Sequence, residues 1–151
     1  MKYAHLIKLT AFSYEYENSE SVLEAFLRFF PFSLEDNKVA LKRTEAAGFN
    51  ERKIVIFEVT LAKNSLINEF LENLLDNLDE GQKNQILQQI ESRLDRNMGF
   101  FLRFDKESWI DGKRLELTDS GKCSHMRISV AAFPKKREVA LNIVRELFSK
   151  K

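Results

Sequence analysis

The residues best suited to chemistry lie near the C-terminal end, where Phe133-Pro134-Lys135-Lys136-Arg137 leads into Ala140, Ile143, Val144, Leu147 and Phe148 at helical i, i+3, i+4 spacing. The pattern predicts a last helix with three cations in its first turn. Free N–H groups and the positive end of the macrodipole meet there, so each exposed cation costs about 0.3–1 kcal/mol. An arriving anion reverses that balance, because unpaired N–H groups and clustered Lys/Arg together form a phosphate site. The plainer reading is three long side chains fanned into water, partly offset by Glu138. Lys113, Arg114 and Lys122 flank turn signals at Gly112 and Gly121 and are further candidates for phosphate contacts.

A second candidate is the alternation of residues 98–106 and 125–133. If Phe100, Leu102, Phe104, Met126, Ile128 and Val130 face a core, then Phe101, Arg103, Arg127, Ser129 and Phe133 face outward. Arginine pairs with phosphate and an aromatic ring stacks on a base, which suits single-stranded nucleic acid. The alternative is that loops or a partner chain cap the rings and that Asp105 or Glu116 pairs with the arginines. No RNP-type aromatic motif is present, so a recognition-motif domain is not expected.

Catalytic readings are weak. Cys123 and His125 stand two apart and would share a face of a strand, but nothing in the sequence supplies an orienting group or oxyanion hole. With His5 as the only other histidine, a zinc site of the usual Cys/His kind is not expected, and no other metal or cofactor is implied. The carboxylates are scattered over helix starts and loops, and no Gly-rich phosphate loop occurs. The expectation is a protein that is not an enzyme.

Positioning these residues falls to a regular alternation of elements. Residues 2–14 alternate as a strand, and Asn18 or Ser19 caps a helix carrying Val22, Leu23, Phe26, Leu27 and Phe30. Residues 37–45 and 52–62 read as a strand pair joined by a turn holding Gly48 and Asn50. Asn64-Ser65 caps an apolar-faced helix to Leu78, and Asp79-Glu80-Gly81 separates it from a more polar one anchored by Ile86, Leu87, Ile90 and Leu94. Strands over 98–106, 113–118 and 125–133 follow, with turns at Asp111-Gly112 and Asp119-Ser120-Gly121, and then the last helix. The order predicts an α+β two-layer sandwich, a mostly antiparallel sheet with helices on one face, in a single domain over 1–151.

Composition agrees with this reading. Apolar residues at 44% and charged ones at 31% describe a globular chain that needs no disulfide, and one cysteine allows none within the chain. A reducing cytoplasm is the default compartment, and no apolar run approaches the roughly 20 residues of a membrane span. The net charge of +1 conceals an asymmetry: residues 97–151 carry 12 Lys/Arg against 7 Asp/Glu, whereas residues 63–96 carry 4 against 7. The last third is the anion-facing part.

The runs Phe100-Phe101-Leu102-Arg103-Phe104-Asp105-Lys106, Leu115-Glu116-Leu117-Thr118-Asp119 and residues 128–138, with Pro134, Lys136, Arg137, Glu138 and Ala140, resemble in order and spacing an archaeal family of small proteins described as predicted RNA-binding proteins or predicted exosome subunits. The resemblance spans nearly the whole chain and is most specific over 98–148. It implies a fold like that of the large-subunit ribosomal protein that binds 5S rRNA, a non-catalytic RNA-binding role, and the exosome or other RNA-processing proteins as partners. It points to Arg103, Lys106, Lys135, Lys136 and Arg137 as contacts. The chain departs from the family in its Gly48-Phe49-Asn50-Glu51-Arg52 turn and in Trp109, which is either a core residue or a base-stacking one alongside Phe101 and Phe133. The alternative is a protein–protein interaction module, a homodimer or complex subunit, using the acidic 63–96 region or the Phe-bearing sheet face.

Overall fold

A computed structural model describes residues 2–47, 52–119 and 121–150. The elements run β1 (Ala4–Tyr14), α1 (Ser19–Leu27), β2 (Lys42–Ala47), β3 (Lys53–Leu61), α2 (Asn64–Asp76), α3 (Glu80–Gln88), α4 (Ile90–Arg93), β4 (Gly99–Asp105), α5 (Lys106–Asp111), β5 (Cys123–Val130) and α6 (Arg137–Phe148). The strands form one open antiparallel sheet in the order β2-β3-β1-β5-β4. The α+β class and antiparallel sheet are those expected from the pattern. In the β2–β3 hairpin Lys42 pairs with Glu58 and Ala47 with Lys53. The expected turn at Gly48 and Asn50 lies outside the described residues.

The chain gathers into two compact units. The first comprises Met1–Ile7, Leu61–Leu102 and Arg127–Lys151, and the second Lys8–Thr60 and Arg103–Met126. In the first, α6 packs against α3 and α4, and Phe100 of β4 lies 5.9 Å from Phe148 of α6, ring centre to ring centre. Ile67, Phe70, Leu71 and Ile86 complete that core. In the second, α1 packs on α5, Phe26 of α1 meets Phe57 of β3 at 6.2 Å, and Phe29 lies between Phe104 at 6.1 Å and Trp109 at 5.1 Å. Burial confirms the strand parity: Phe100, Leu102, Phe104, Met126, Ile128 and Val130 are buried, while Phe101 and Arg103 are exposed and Arg127 and Ser129 half-exposed.

Local chemistry sets the helix starts. Asn18 caps α1, its Oδ1 accepting from the amides of Glu20 at 3.0 Å and Ser21 at 3.3 Å. Asp79 and Gln82 close a capping box on α3, which separates it from α2 as expected.

Five boundaries differ from the sequence reading. The helix α2 has Lys63, not Asn64 or Ser65, at its N-cap and takes no side-chain cap there. The strand β2 begins only at Lys42, because residues 33–39 fold into a turn in which the Asn37 side chain donates to Ser33 O at 2.7 Å and the Val39 amide to Leu34 O at 2.8 Å. Residues 106–111 form α5 rather than the end of a strand and a turn, since Asp105 accepts from the Ser108 amide at 3.0 Å and starts a helix. Residues 113–118 make only one bridge, Leu117 to Phe104, instead of a strand. Finally, α6 begins at Arg137 with Lys136 in extended conformation at its N-cap, so Lys135 and Lys136 precede the helix and only Arg137 stands in its first turn.

Candidate nucleic-acid interface

Around α6 in the first unit, β5 ends at Val130 and the chain runs exposed from Phe133 to Glu138 before the helix turns inward at Ala140. Phe133 is 94% exposed, far more than any other large apolar side chain described. Such a ring covers no core and leaves both faces open. Lys135 and Lys136 follow it, also exposed. Arg137 is occupied otherwise: its Nη1 donates to Leu94 O at 3.0 Å and its Nη2 to Glu91 O at 2.5 Å. It thus satisfies carbonyls at the end of α4, where cations are favoured, and ties α6 to α4.

The same unit holds Phe101 and Arg127. The Arg127 guanidinium lies 5.6 Å from the Phe101 ring centre, donates to Ser129 Oγ at 2.7 Å and approaches Asp95 at 3.4 Å. Gly99 makes room for it, because a Cβ there would overlap the guanidinium. For Asp95, partial burial pushes the pKa up, but bonds from the Gly99 and Asn97 amides, each 2.8 Å, and the charge of Arg127 outweigh it and hold the carboxyl below its usual range. Arg127 is therefore partnered, with one edge toward solvent.

In the second unit the sequence-predicted residues separate by role. Arg103 is exposed and donates to Asp119 O at 3.1 Å, and Lys113 and Arg114 are exposed. Lys106 is not at the surface. It is 3% exposed, and its ammonium donates to Glu17 Oε1 at 2.7 Å and Phe12 O at 2.5 Å while lying 4.9 Å from the Tyr14 ring centre. Trp109 is also interior: at 5% exposure its Nε1 donates to Ala25 O at 2.6 Å, and Arg28 packs over its ring at 4.8 Å. Lys106 and Trp109 build the surface from beneath and present nothing to a ligand.

Sequence reasoning missed the aromatic pair Tyr14 and Tyr16. Their rings stack with an interplanar angle of 3° and centres 5.8 Å apart, and the Lys122 ammonium lies 4.5 Å from the Tyr16 ring centre. A hydrogen bond with Tyr16 is the main cause that raises the Lys122 pKa. Desolvation opposes it, and the charge interactions with Tyr16, Glu107 and Glu17 add to the rise. The signal was readable as Tyr14-Glu15-Tyr16 at the end of a strand, two rings at a spacing that puts both on one side.

Cys123 and His125 lie 3.5 Å apart, Sγ to Nε2, with Phe12 edge-on to the imidazole at 6.0 Å. Burial raises the thiol pKa against the pull of Arg103 and Lys106, and burial followed by Arg103 lowers that of His125. Both shifts favour the neutral forms, opposite to an activated thiolate–imidazolium pair. Among the described residues no group of three or more His, Cys, Asp and Glu could hold a metal ion, and no helix is long and apolar enough to cross a membrane.

Fold and site together define an α+β protein with an open antiparallel sheet, whose exposed rings lie beside lysine and arginine. The sequence model of the RNA-binding family matches residues 6–130. The chain is 30% identical over 143 residues to the RNA-binding protein PAB1135 of Pyrococcus abyssi, covering 95% of this chain and 92% of that one. Among solved structures it is similar to protein AF2318 from Archaeglobus fulgidus, of the DUF54 family, at 30% identity and a TM-score of 0.83, covering 95% of this chain and 99% of that one. It is also similar to Mth689 from Methanothermobacter thermautotrophicus, a DUF54 protein, at 27% identity and a TM-score of 0.76, covering 97% and 98%. The chain belongs to the RNA-binding family.

Proposed function

We propose that this protein holds RNA without transforming it, using Phe133, Lys135 and Lys136 as its principal contact. The observation that carries this reading is the exposure of Phe133, 94%, separated only by Pro134 from two exposed lysines that no described acid pairs with. A solvated aromatic beside cations suits a base and its phosphates. Arg103, Lys113 and Arg114, and the open edge of Arg127 beside Phe101, are secondary phosphate contacts that position the chain without reading sequence. The family match and the relative named as an RNA-binding protein support RNA over DNA.

The finer assignments follow the sequence resemblance: a cytoplasmic accessory of archaeal RNA processing, with the exosome or the ribosome as the setting and a fold akin to the 5S-rRNA-binding ribosomal protein. The test is fluorescence anisotropy with labelled single-stranded RNA, structured RNA and DNA across a salt series. RNA binding at or below about 1 μM near physiological salt, outdoing the roughly 10⁻⁴–10⁻⁶ M of non-specific binding, supports the proposal. In the Lys135→Glu/Lys136→Glu variant the slope of log affinity against log salt should flatten by about 1.4, or about 0.7 for each phosphate that is no longer neutralised. An unchanged slope refutes this site.

A second reading, a homodimer or complex subunit burying Phe101 and Phe133, is favoured by the same exposed rings, at 37% and 94%. Light scattering after gel filtration separates the two: a wild-type dimer that Phe133→Ala turns into a monomer supports this second reading, and a wild-type monomer refutes its homodimer form.

A further inference from the structure

At the end of β1 the chain makes a tight turn that is held far more firmly than its position requires. The Glu17 amide donates to Tyr14 O at 2.9 Å, and the Tyr14 amide donates back to Glu17 Oε1 at 3.1 Å. The same carboxylate oxygen takes the Lys106 ammonium at 2.7 Å, and that ammonium also donates to Phe12 O at 2.5 Å. With Lys106 at 3% and Glu17 at 13% side-chain exposure this is a buried ion pair. Such pairs add little net stability compared with apolar residues of the same size, because desolvation cancels most of the attraction. What this one does is fix both ends of a four-residue turn.

The turn displays Tyr16, which is 62% exposed and contributes nothing to the core. Tyr14 lies parallel to it at 3° with ring centres 5.8 Å apart. Parallel rings in contact are separated by about 3.5–4 Å, so the two must be offset, and their planes share one orientation. Lys122 is 42% exposed, lies 4.5 Å from the Tyr16 ring centre, and has its only acidic neighbour among the described ion pairs, Glu107, at the outer limit of pairing, 4.0 Å. Glu107 is itself 70% exposed, so the pair is weak and its ammonium is readily taken by a stronger anion.

We propose that Tyr16, oriented by Tyr14 and by the Lys106–Glu17 clamp, is a stacking platform for one unpaired RNA base, with Lys122 leaving its place over the ring to receive the adjoining phosphate. The ring needs an exposed base face, which a duplex hides within its own stack, so the subsite selects single-stranded or looped RNA. Because the turn is fixed before binding, the ring loses little freedom on contact. This inference rests on the RNA-binding reading but concerns residues independent of Phe133, Lys135 and Lys136.

The experiment measures three things: binding of the full chain to a single-stranded RNA carrying one 2-aminopurine, binding to a blunt duplex of equal length, and photocrosslinking to RNA containing 5-iodouridine. In wild type the 2-aminopurine is quenched on binding and a crosslink maps to Tyr16. Tyr16→Ala should weaken single-strand binding about 5- to 150-fold, from roughly 1–3 kcal/mol per stacked base, and leave duplex binding unchanged. Tyr16→Phe should restore affinity and quenching. Glu107→Gln should tighten single-strand binding about 2-fold by freeing Lys122, and Lys122→Gln should abolish that gain. If wild type binds RNA but Tyr16→Ala binds equally well and the crosslink maps elsewhere, the stacking platform is refuted and the RNA reading stands. If wild type binds no RNA at low salt, both fail together.

Discussion

The Tyr14–Glu17 turn and the 133–137 segment each set an aromatic ring beside lysine, yet they are built in opposite ways. The turn is clamped by a buried lysine, and its exposed ring inherits that rigidity. Among the described residues the segment leading into α6 takes its side-chain anchor from Arg137, through two carbonyls, and Phe133, Lys135 and Lys136 receive no described side-chain support. A clamped ring can discriminate, because a base that does not fit its plane gains nothing. A loose ring flanked by charge attracts widely and adapts. One cation in each region, the buried Lys106 and the exposed Arg137, is already committed to protein oxygens, which separates cations that hold structure from cations that hold phosphate.

Substitutions can break this contrast, the largest effect coming from beneath the clamped region. Trp109→Ala should cost about 3–5 kcal/mol in urea unfolding, since it empties the space between Phe29 and Arg28 and leaves the Ala25 carbonyl only the Arg28 amide. Lys106→Ala should cost about 3 kcal/mol by leaving Glu17 without its counter-charge, and restoring the apolar volume with Lys106→Met/Glu17→Leu should recover most of it. If the double variant is stable but binds single-stranded RNA poorly, the clamp serves recognition and not stability. Arg137→Ala should cost about 1–2 kcal/mol of stability while leaving the salt slope of RNA binding almost unchanged, the reverse of Lys135→Ala/Lys136→Ala, which should leave unfolding within about 0.5 kcal/mol of wild type.

The smallest effect is a pH dependence confined to the clamped unit. Burial and Arg103 lower the His125 pKa from its usual 6.5, so the unfolded chain binds this proton more readily than the folded one. The contribution is therefore present in full above pH 6.5 and is lost as pH falls below it. His125→Gln should flatten the unfolding free energy between about pH 6.5 and 5, and a wild type that gains stability over that range would contradict the assignment.

Much of the fold was legible because its signals are local. The Asn18 cap, the apolar face of α2, the Asp79 interruption and the alternation of β4 and β5 all rest on residues within a few positions of one another. The helix α5 was missed because it is six residues long, too short to show a period, although Asp105 and Ser108 carried its cap signal. The start of α6 was placed too early because Pro134 and three cations look like a helix opening, whereas Lys136 stays extended. What sequence could not reveal is which cation is buried. Lys106 finds Glu17 across 89 residues, and Trp109 finds Ala25 across 84. The same non-locality hid the pairing of β1 with both β3 and β5.

The missing side chain at Gly99 offers a lever of a different kind. Arg127 lies across that backbone only because hydrogen stands where any other residue has carbon. A methyl group there would turn the guanidinium aside while leaving the number of charges, and every basic residue, as it is. Gly99→Ala thus distinguishes a surface that counts cations from one that aims them, a distinction that neutralising mutations, which change both at once, can never draw.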